Sequence, residues 1–252
     1  MLKLKLFLVV AVLATQIVTL SAQKRVKDKV KSLETFVETV NGVQFKMIYV
    51  EGGAFQMGER SEKHEVTLSG FHIGETEVTQ ALWQAVMGNN PSYFKGADRP
   101  VESISWNDAQ VFLEKLSGLT GKEYALPTEA QWEYAARGGN RSRGYEYAGS
   151  NRSGAVAWNE SNSGMETHPV GRKQANELGI YDMSGNVWEW CSDWYGDYPT
   201  GRQTDPVGPA TGSLRVLRGG SWRSDPHRAT IRNLYSPDDR LNFLGFRVCL
   251  RP

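Results

Sequence analysis

From Gly139 to the C-terminus almost nothing in this chain reads as helical. Asn, Ser, Gly and aromatic residues dominate. Such a segment cannot rest on local propensity. It has to be held by ring packing, tight turns and something stronger than propensity. The 26 Gly and eight Trp among 252 residues suit that solution, because glycine permits sharp turns against which large rings pack. The length leaves room for a real core, in one large domain or two small ones.

The half before Gly139 is more regular. In NGVQFKMIYVEGGAFQMG, Phe45, Met47 and Tyr49 alternate with other residues. This predicts a strand, a turn at Gly52–Gly53 and a second strand over Ala54 to Met57. HEVTLSGFH, residues 64–72, predicts a further strand pair. Thr79 opens a helix with Leu82, Trp83, Val86 and Met87 on one side and Gly88 as its stop. Ser105 or Asn107 caps a second, in WNDAQVFLEKLSGLTG. Thr128 and Gln131 form a capping box for a third, which Gly138 ends. There is no internal repeat. The expected fold is a single α+β domain over 45–252, preceded by a charged linker over 23–44.

The first 22 residues carry Lys3 and Lys5, then an apolar run from Leu6 to Val18, then small residues at Ser21 and Ala22. That is the pattern of a secretory signal peptide, too short in its apolar run for a span. The mature chain is expected to have no membrane span and to be secreted, periplasmic or held in the cell envelope. The formal charge of +1 gives no reason to expect nucleic acid as a partner. Cys191 and Cys249 are the two cysteines. In an oxidising compartment they either pair or stay free in the core, and sequence leaves both open.

The densest chemical signal is YDMSGNVWEWCSDWY, residues 181–195. Asp182 and Glu189 are seven residues apart, with a Ser-Gly-Asn turn between. If the turn folds back, both carboxylates and the intervening carbonyls face one point, which is the hard-oxygen environment Ca²⁺ takes. The alternative is that both carboxylates cap turns. The four histidines, His64, His72, His168 and His227, show no zinc spacing. No nucleophile elbow, P-loop or dinucleotide fingerprint is present. Ser221 follows Gly219–Gly220, a weak signal taken alone.

Seven motifs then coincide in order: VEGGAFQMG (50–58), ETEVTQALWQAVMG (75–88), PVESISWNDAQVFL (100–113), LPTEAQWEYAARGG (126–139), GIYDMSGNVWEW (179–190), RVLRGGSW (215–222) and LGFRV (244–248). Together they resemble the formylglycine-generating enzyme, or sulfatase-modifying factor, family. The resemblance implies a loop-rich, C-type-lectin-like α+β domain. It implies a Ca²⁺ site made by Asp182, the carbonyls of Gly185 and Val187, and Glu189. A second family calcium site would fall around Trp158 to Gly164, where its matching residues are not identified. The family's oxidase holds Cu(I) on two cysteines, three and eight residues after the serine of GGS. That serine matches Ser221, and the two positions hold Ser224 and Ala229. Copper is therefore not expected, since neither side chain is a soft thiolate. Leu113 and Ala136 stand where the family has disulfide cysteines.

The resulting expectation is a non-catalytic binding or envelope-assembly module with a protein or peptide ligand. Its recognition surface would combine Trp188, Trp222, Arg223, Asp225, His227, Arg228 and Arg232, a mixture common in binding surfaces. Enzymatic activity stays open. The alternatives are a formylglycine-generating oxidase acting on a sulfatase cysteine, and a ligand-binding display protein diversified between RGGSW and GFR.

Overall fold

The computed structural model describes residues 34–250. The segment expected to be a signal peptide and most of the expected linker lie outside them. The linker boundary needs correction. The folded unit begins at Thr35, because strand β1 (Phe36–Val40) pairs antiparallel with β2 (Val43–Val50) through a two-residue turn. Asn41 and Gly42 both take positive φ, 48° and 82°, as this hairpin turn requires.

The strands that follow are β3 (Gly53–Met57), β4 (His64–Leu68), β5 (Phe71–Gly74), β6 (Tyr124–Ala125), β7 (Trp188–Trp194) and β8 (Gln203–Thr204). The last four are β9 (Arg215–Arg218), β10 (Arg232–Tyr235), β11 (Leu244–Gly245) and β12 (Cys249–Leu250). They form three sheets, ordered β1-β2-β5-β12-β6, β10-β9-β7-β11 and β3-β4-β8. β12 lies antiparallel between β5 and β6, so the end of the chain closes the sheet that its beginning opened. This is an α+β, loop-rich, C-type-lectin-like domain, and its second half is less bare than the sequence suggests.

Three helices sit where the capping signals put them. In α1 (Gln80–Met87) the Leu82 amide donates to Thr79 Oγ1, and Gly88 ends the helix at φ 83°. In α2 (Trp106–Thr120) Ser105, not Asn107, is the cap, in a reciprocal box with Asp108. Its apolar face buries Phe112, Leu113 and Leu116, and Phe112 stacks on Trp83 of α1 at 5.2 Å. In α3 (Glu129–Ala136) the Thr128–Gln131 box is formed, and every residue of the helix is buried. A helix buried all round has no polar face on which to leave its charges. Glu129 and Glu133 must then be paired inside. A one-turn helix, α4 (Ser153–Val156), follows.

The core divides into two clusters. One gathers around α1, α2, Trp188, Trp190 and Phe246. The other gathers around α3, with Trp132 and Tyr134. Cys191 and Cys249 are both buried and no disulfide joins them, so they act as core residues. Among the described residues no helix is long and apolar enough to cross a membrane.

Candidate functional site

Two places carry the residues singled out by sequence. The first is the turn from Asp182 to Glu189, which enters β7. Asp182, Gly185 and Asn186 all take positive φ, at 58°, 84° and 61°. At Gly185 the glycine is required by contact as well as conformation: a Cβ there would lie 2.2 Å from the Trp158 carbonyl oxygen. Gly185→Ala is therefore expected to cost about 1–3 kcal/mol through overpacking, with added strain at positive φ. Equilibrium denaturation checks it, and a wild-type midpoint would contradict the close approach.

Asn186 ties this turn to its neighbours, a role that no sequence motif signals. Its amide oxygen accepts from the His168 amide at 2.9 Å, and its carbonyl accepts from the Trp222 amide at 2.8 Å. Its side-chain nitrogen donates to Glu77 Oε2 at 3.3 Å. Asp182 is buried, and its Oδ2 accepts from the Gly171 amide at 2.7 Å while Oδ1 has no hydrogen-bond partner. Burial, despite the nearby Arg247 guanidinium, pushes the Asp182 carboxyl up to about 6. Glu77, equally buried, is raised well above the usual range by burial and by the charges of Asp182 and Glu189.

The calcium set implied by the resemblance fits this geometry only in part. Asp182 offers an unpartnered carboxylate oxygen. Among the described residues no loop hydrogen bond ends on the Gly185 or Val187 carbonyl. Glu189 differs. Both its oxygens are clamped by Arg247, at 2.6 Å each, and Oε2 also accepts from Trp132 Nε1 at 2.7 Å. The bidentate guanidinium already meets its charge. No three His, Cys, Asp or Glu side chains converge as a metal cluster among the described residues.

The second place is the loop after β9. Ser224, one of the positions the resemblance assigns to thiolates, closes a tight turn: its Oγ accepts from the Ser221 amide at 3.0 Å, and its own amide donates to the Ser221 carbonyl at 3.2 Å. Ala229, the other, is buried in the second core cluster. Cys191 is fully buried, and desolvation raises its thiol well above the ordinary value. The loop thus has no soft donor for Cu(I).

Beside the loop lies an open cleft of about 420 Å³ with Trp188, Ser221, Arg223, Asn233, Tyr235 and Phe243 in its walls. Arg223 is exposed and lies over the Phe243 ring at 5.0 Å. It takes part in no ion pair found among the described residues. The buried Ser221 hydroxyl has no partner. Trp222 is buried under the loop, with its Nε1 donating to the Asn242 carbonyl and its ring edge-on to Phe94 at 5.3 Å. Phe94 in turn meets the exposed Tyr93 at 4.9 Å.

The expected recognition surface therefore divides. Trp188 and Arg223 line the cleft, and Asp225 is exposed nearby in sequence. His227 packs on Trp188 at 5.0 Å, and burial lowers its pKa. Arg228 turns away to pair with Glu59 at 3.3 Å. Arg232 is a correction. It is bound bidentately by buried Glu129, at 2.6 and 2.9 Å, and stacks on Tyr198, so it lines a different cavity. Adjacent strand residues point to opposite faces, which separates Arg232 from Asn233. Tyr93, Phe94 and Phe243 come from other segments, and no local pattern announces them.

A family model described as the sulfatase-modifying factor enzyme 1-like domain matches residues 34–252. The chain belongs to this family. Its similarity to solved structures points the same way. Treponema denticola variable protein 1 superposes with a TM-score of 0.82 at 37% identity, covering 86% of this chain and 99% of that one. PvdO from Pseudomonas aeruginosa gives 0.73 at 26% identity, covering 88% and 99%. Among curated relatives, the chaperone protein LppX of Paenibacillus barcinonensis is 38% identical over 73% of this chain and 81% of its own length. The formylglycine-generating enzyme of Streptomyces coelicolor is 37% identical over 68% of this chain, and the match spans 58% of that enzyme. Family members thus carry different names for different tasks on one scaffold, and membership does not choose between them.

Proposed function

We propose that this protein is a non-catalytic recognition module that holds a protein or peptide segment in the cleft beside the GGS loop. The observation that carries the reading is the pairing of two facts at one place. The loop offers a turn-closing serine and a buried methyl where the resemblance calls for thiolates. The adjoining cleft offers three aromatic rings, Trp188, Tyr235 and Phe243, with the Asn233 amide and the Arg223 guanidinium, which joins no ion pair found among the described residues. Aromatic rings and Arg are the side chains that dominate binding energy at interfaces. The likeness to a chaperone and to a variable protein supports a binding role, and export by the N-terminal signal would place it outside the cytoplasm.

The test has two arms. A peptide library panned on the mature protein is expected to yield binders that lose roughly 30-fold in affinity on Tyr235→Ala or Arg223→Glu, the loss of a hot-spot contact of about 2 kcal/mol. Binders indifferent to both substitutions would place the ligand elsewhere. A cysteine-containing sulfatase peptide incubated with the protein, Cu(I) and O₂ is expected to keep its mass. Formylglycine formed above a no-protein control would overturn the non-catalytic reading.

A further inference from the structure

The cavity that Arg232 lines, of about 470 Å³, lies on the face of β10 opposite the cleft beside Ser221. Met57, Trp194, Tyr198, Pro206, Val207 and Pro209 give it apolar walls. Asp193 of β7 also lines it and is 4% exposed. Asp193 Oδ2 accepts from the Glu129 amide and the Ser192 hydroxyl, whereas no hydrogen bond among the described residues ends on Oδ1. A Cβ on Gly208 would lie 3.0 Å from Oδ1, and the glycine leaves that space open. Buried polar atoms are rarely left idle.

The cations around Asp193 are already spent. Arg232 gives Nε and Nη2 to Glu129 and Nη1 to the Gly196 carbonyl. Arg215 faces Asp193 but gives its Nη1 to the Ser192 carbonyl, and no ion pair joins Arg215 to Asp193 among the described residues. Burial, and then the charge of Glu129, push the Asp193 carboxyl up to about 7. That is the behaviour of a buried anion whose charge is not fully met. Asp197 also lines the cavity, is exposed, and joins no ion pair found among the described residues.

The cavity thus presents one buried acceptor oxygen, one exposed acid and apolar walls. A primary ammonium on an alkyl stem matches all three. Its stem lies along apolar surface, and its head is a compact charge that a single oxygen can hold. A guanidinium fork asks for two oxygens, and Asp193 has one to give.

We propose that this cavity binds a primary alkylammonium group, with Asp193 Oδ1 taking the charged head and Asp197 drawing it in. The head belongs to a lysine side chain of a partner protein or to a free alkyl amine. The proposal does not depend on what the cleft beside Ser221 holds.

The experiment titrates the isotope-labelled full chain at pH 8, where the Asp193 carboxyl is ionised, with Nα-acetyl-lysine amide and separately with pentylamine. Both are expected to shift the amides of Asp193 to Tyr198 and of Gly208 saturably. Tighter binding of the lysine derivative marks a protein source, and tighter binding of pentylamine a free amine. Nα-acetyl-arginine amide is expected to bind at least ~10-fold more weakly than the lysine derivative. Asp193→Asn is expected to lose at least ~10-fold in affinity for both amines while melting no lower than wild type at pH 8. Lost binding on an intact fold separates a ligand contact from a merely structural one. Asp197→Lys changes an exposed residue and is expected to weaken both amines about threefold. No saturable shift with either amine, an Asp193→Asn titration like wild type, or arginine bound as tightly as lysine would each overturn the proposal.

Discussion

Arg218→Ala is expected to destabilise the fold by about 3–5 kcal/mol, the cost of stranding a buried charge when its partner is removed. Arg218 is fully buried at the end of β9, where it bonds Glu133 of α3 and lies 3.7 Å from Glu129. Its other nitrogen donates to the Thr230 and Ile231 carbonyls at 2.8 Å each. One side chain thus joins α3, the central sheet and the strand that follows the loop. Alanine would leave two acids and two carbonyls without that donor. The neighbours cannot substitute fully. Arg137 reaches Glu133 and Arg232 reaches Glu129, but each is already engaged with it. For a domain of this size the melting temperature should drop by roughly 10 °C or more. A fall of only a degree or two would mean that water enters and solvates the acids. Arg218→Lys is expected to recover part of the loss, since it restores charge without the forked geometry.

That network marks where sequence reading stops. The helices were legible because caps are local: Thr79, Ser105 and Thr128 each sit three residues before the amide they accept from. The Asn41–Gly42 turn was equally local, and reading the preceding residues as linker overlooked it. The strands of the second half were not legible. β9 reads RVLR, with an arginine at each end, and nothing local tells that Arg218 is wholly interior while Arg215 is only half-buried. β11 and β12 are two residues each, too short for any alternation to declare itself. Arg247 and Glu189 lie far apart in the chain, and only the fold reveals that they are one ion pair. The candidate sites divide in the same way. Asp182 stood out by its turn, whereas Glu77 sits in a stretch that reads as an ordinary helix approach, and its unpartnered oxygen is a property of packing.

The second large effect is on pH dependence, through Asp193 of β7. Its Oδ2 accepts from the Glu129 amide at 2.9 Å and from the Ser192 hydroxyl at 3.0 Å, so it supports the first turn of α3. Burial, and then the negative charge of Glu129, push its carboxyl up to about 7, against an opposing pull from Arg232. Arg215, stacked on Trp194, also faces it. In the unfolded chain an aspartate titrates near ~3.9. The folded state therefore holds this proton more tightly. Stability from this group is full below about pH 4 and is lost as pH rises towards 7, at a slope of up to ~1.4 kcal/mol per unit. Asp193→Asn keeps an oxygen for the helix amide and removes the proton equilibrium. It is expected to flatten the stability profile between pH 5 and 7, within the window bounded by those two values, and to make the protein more stable than wild type at pH 8 by roughly 2–4 kcal/mol. Urea denaturation across that range, with metal held constant, gives the comparison. Parallel profiles for the two proteins would show that Asp193 stays ionised in the fold, stabilised by Arg232 and Arg215 more strongly than burial opposes it.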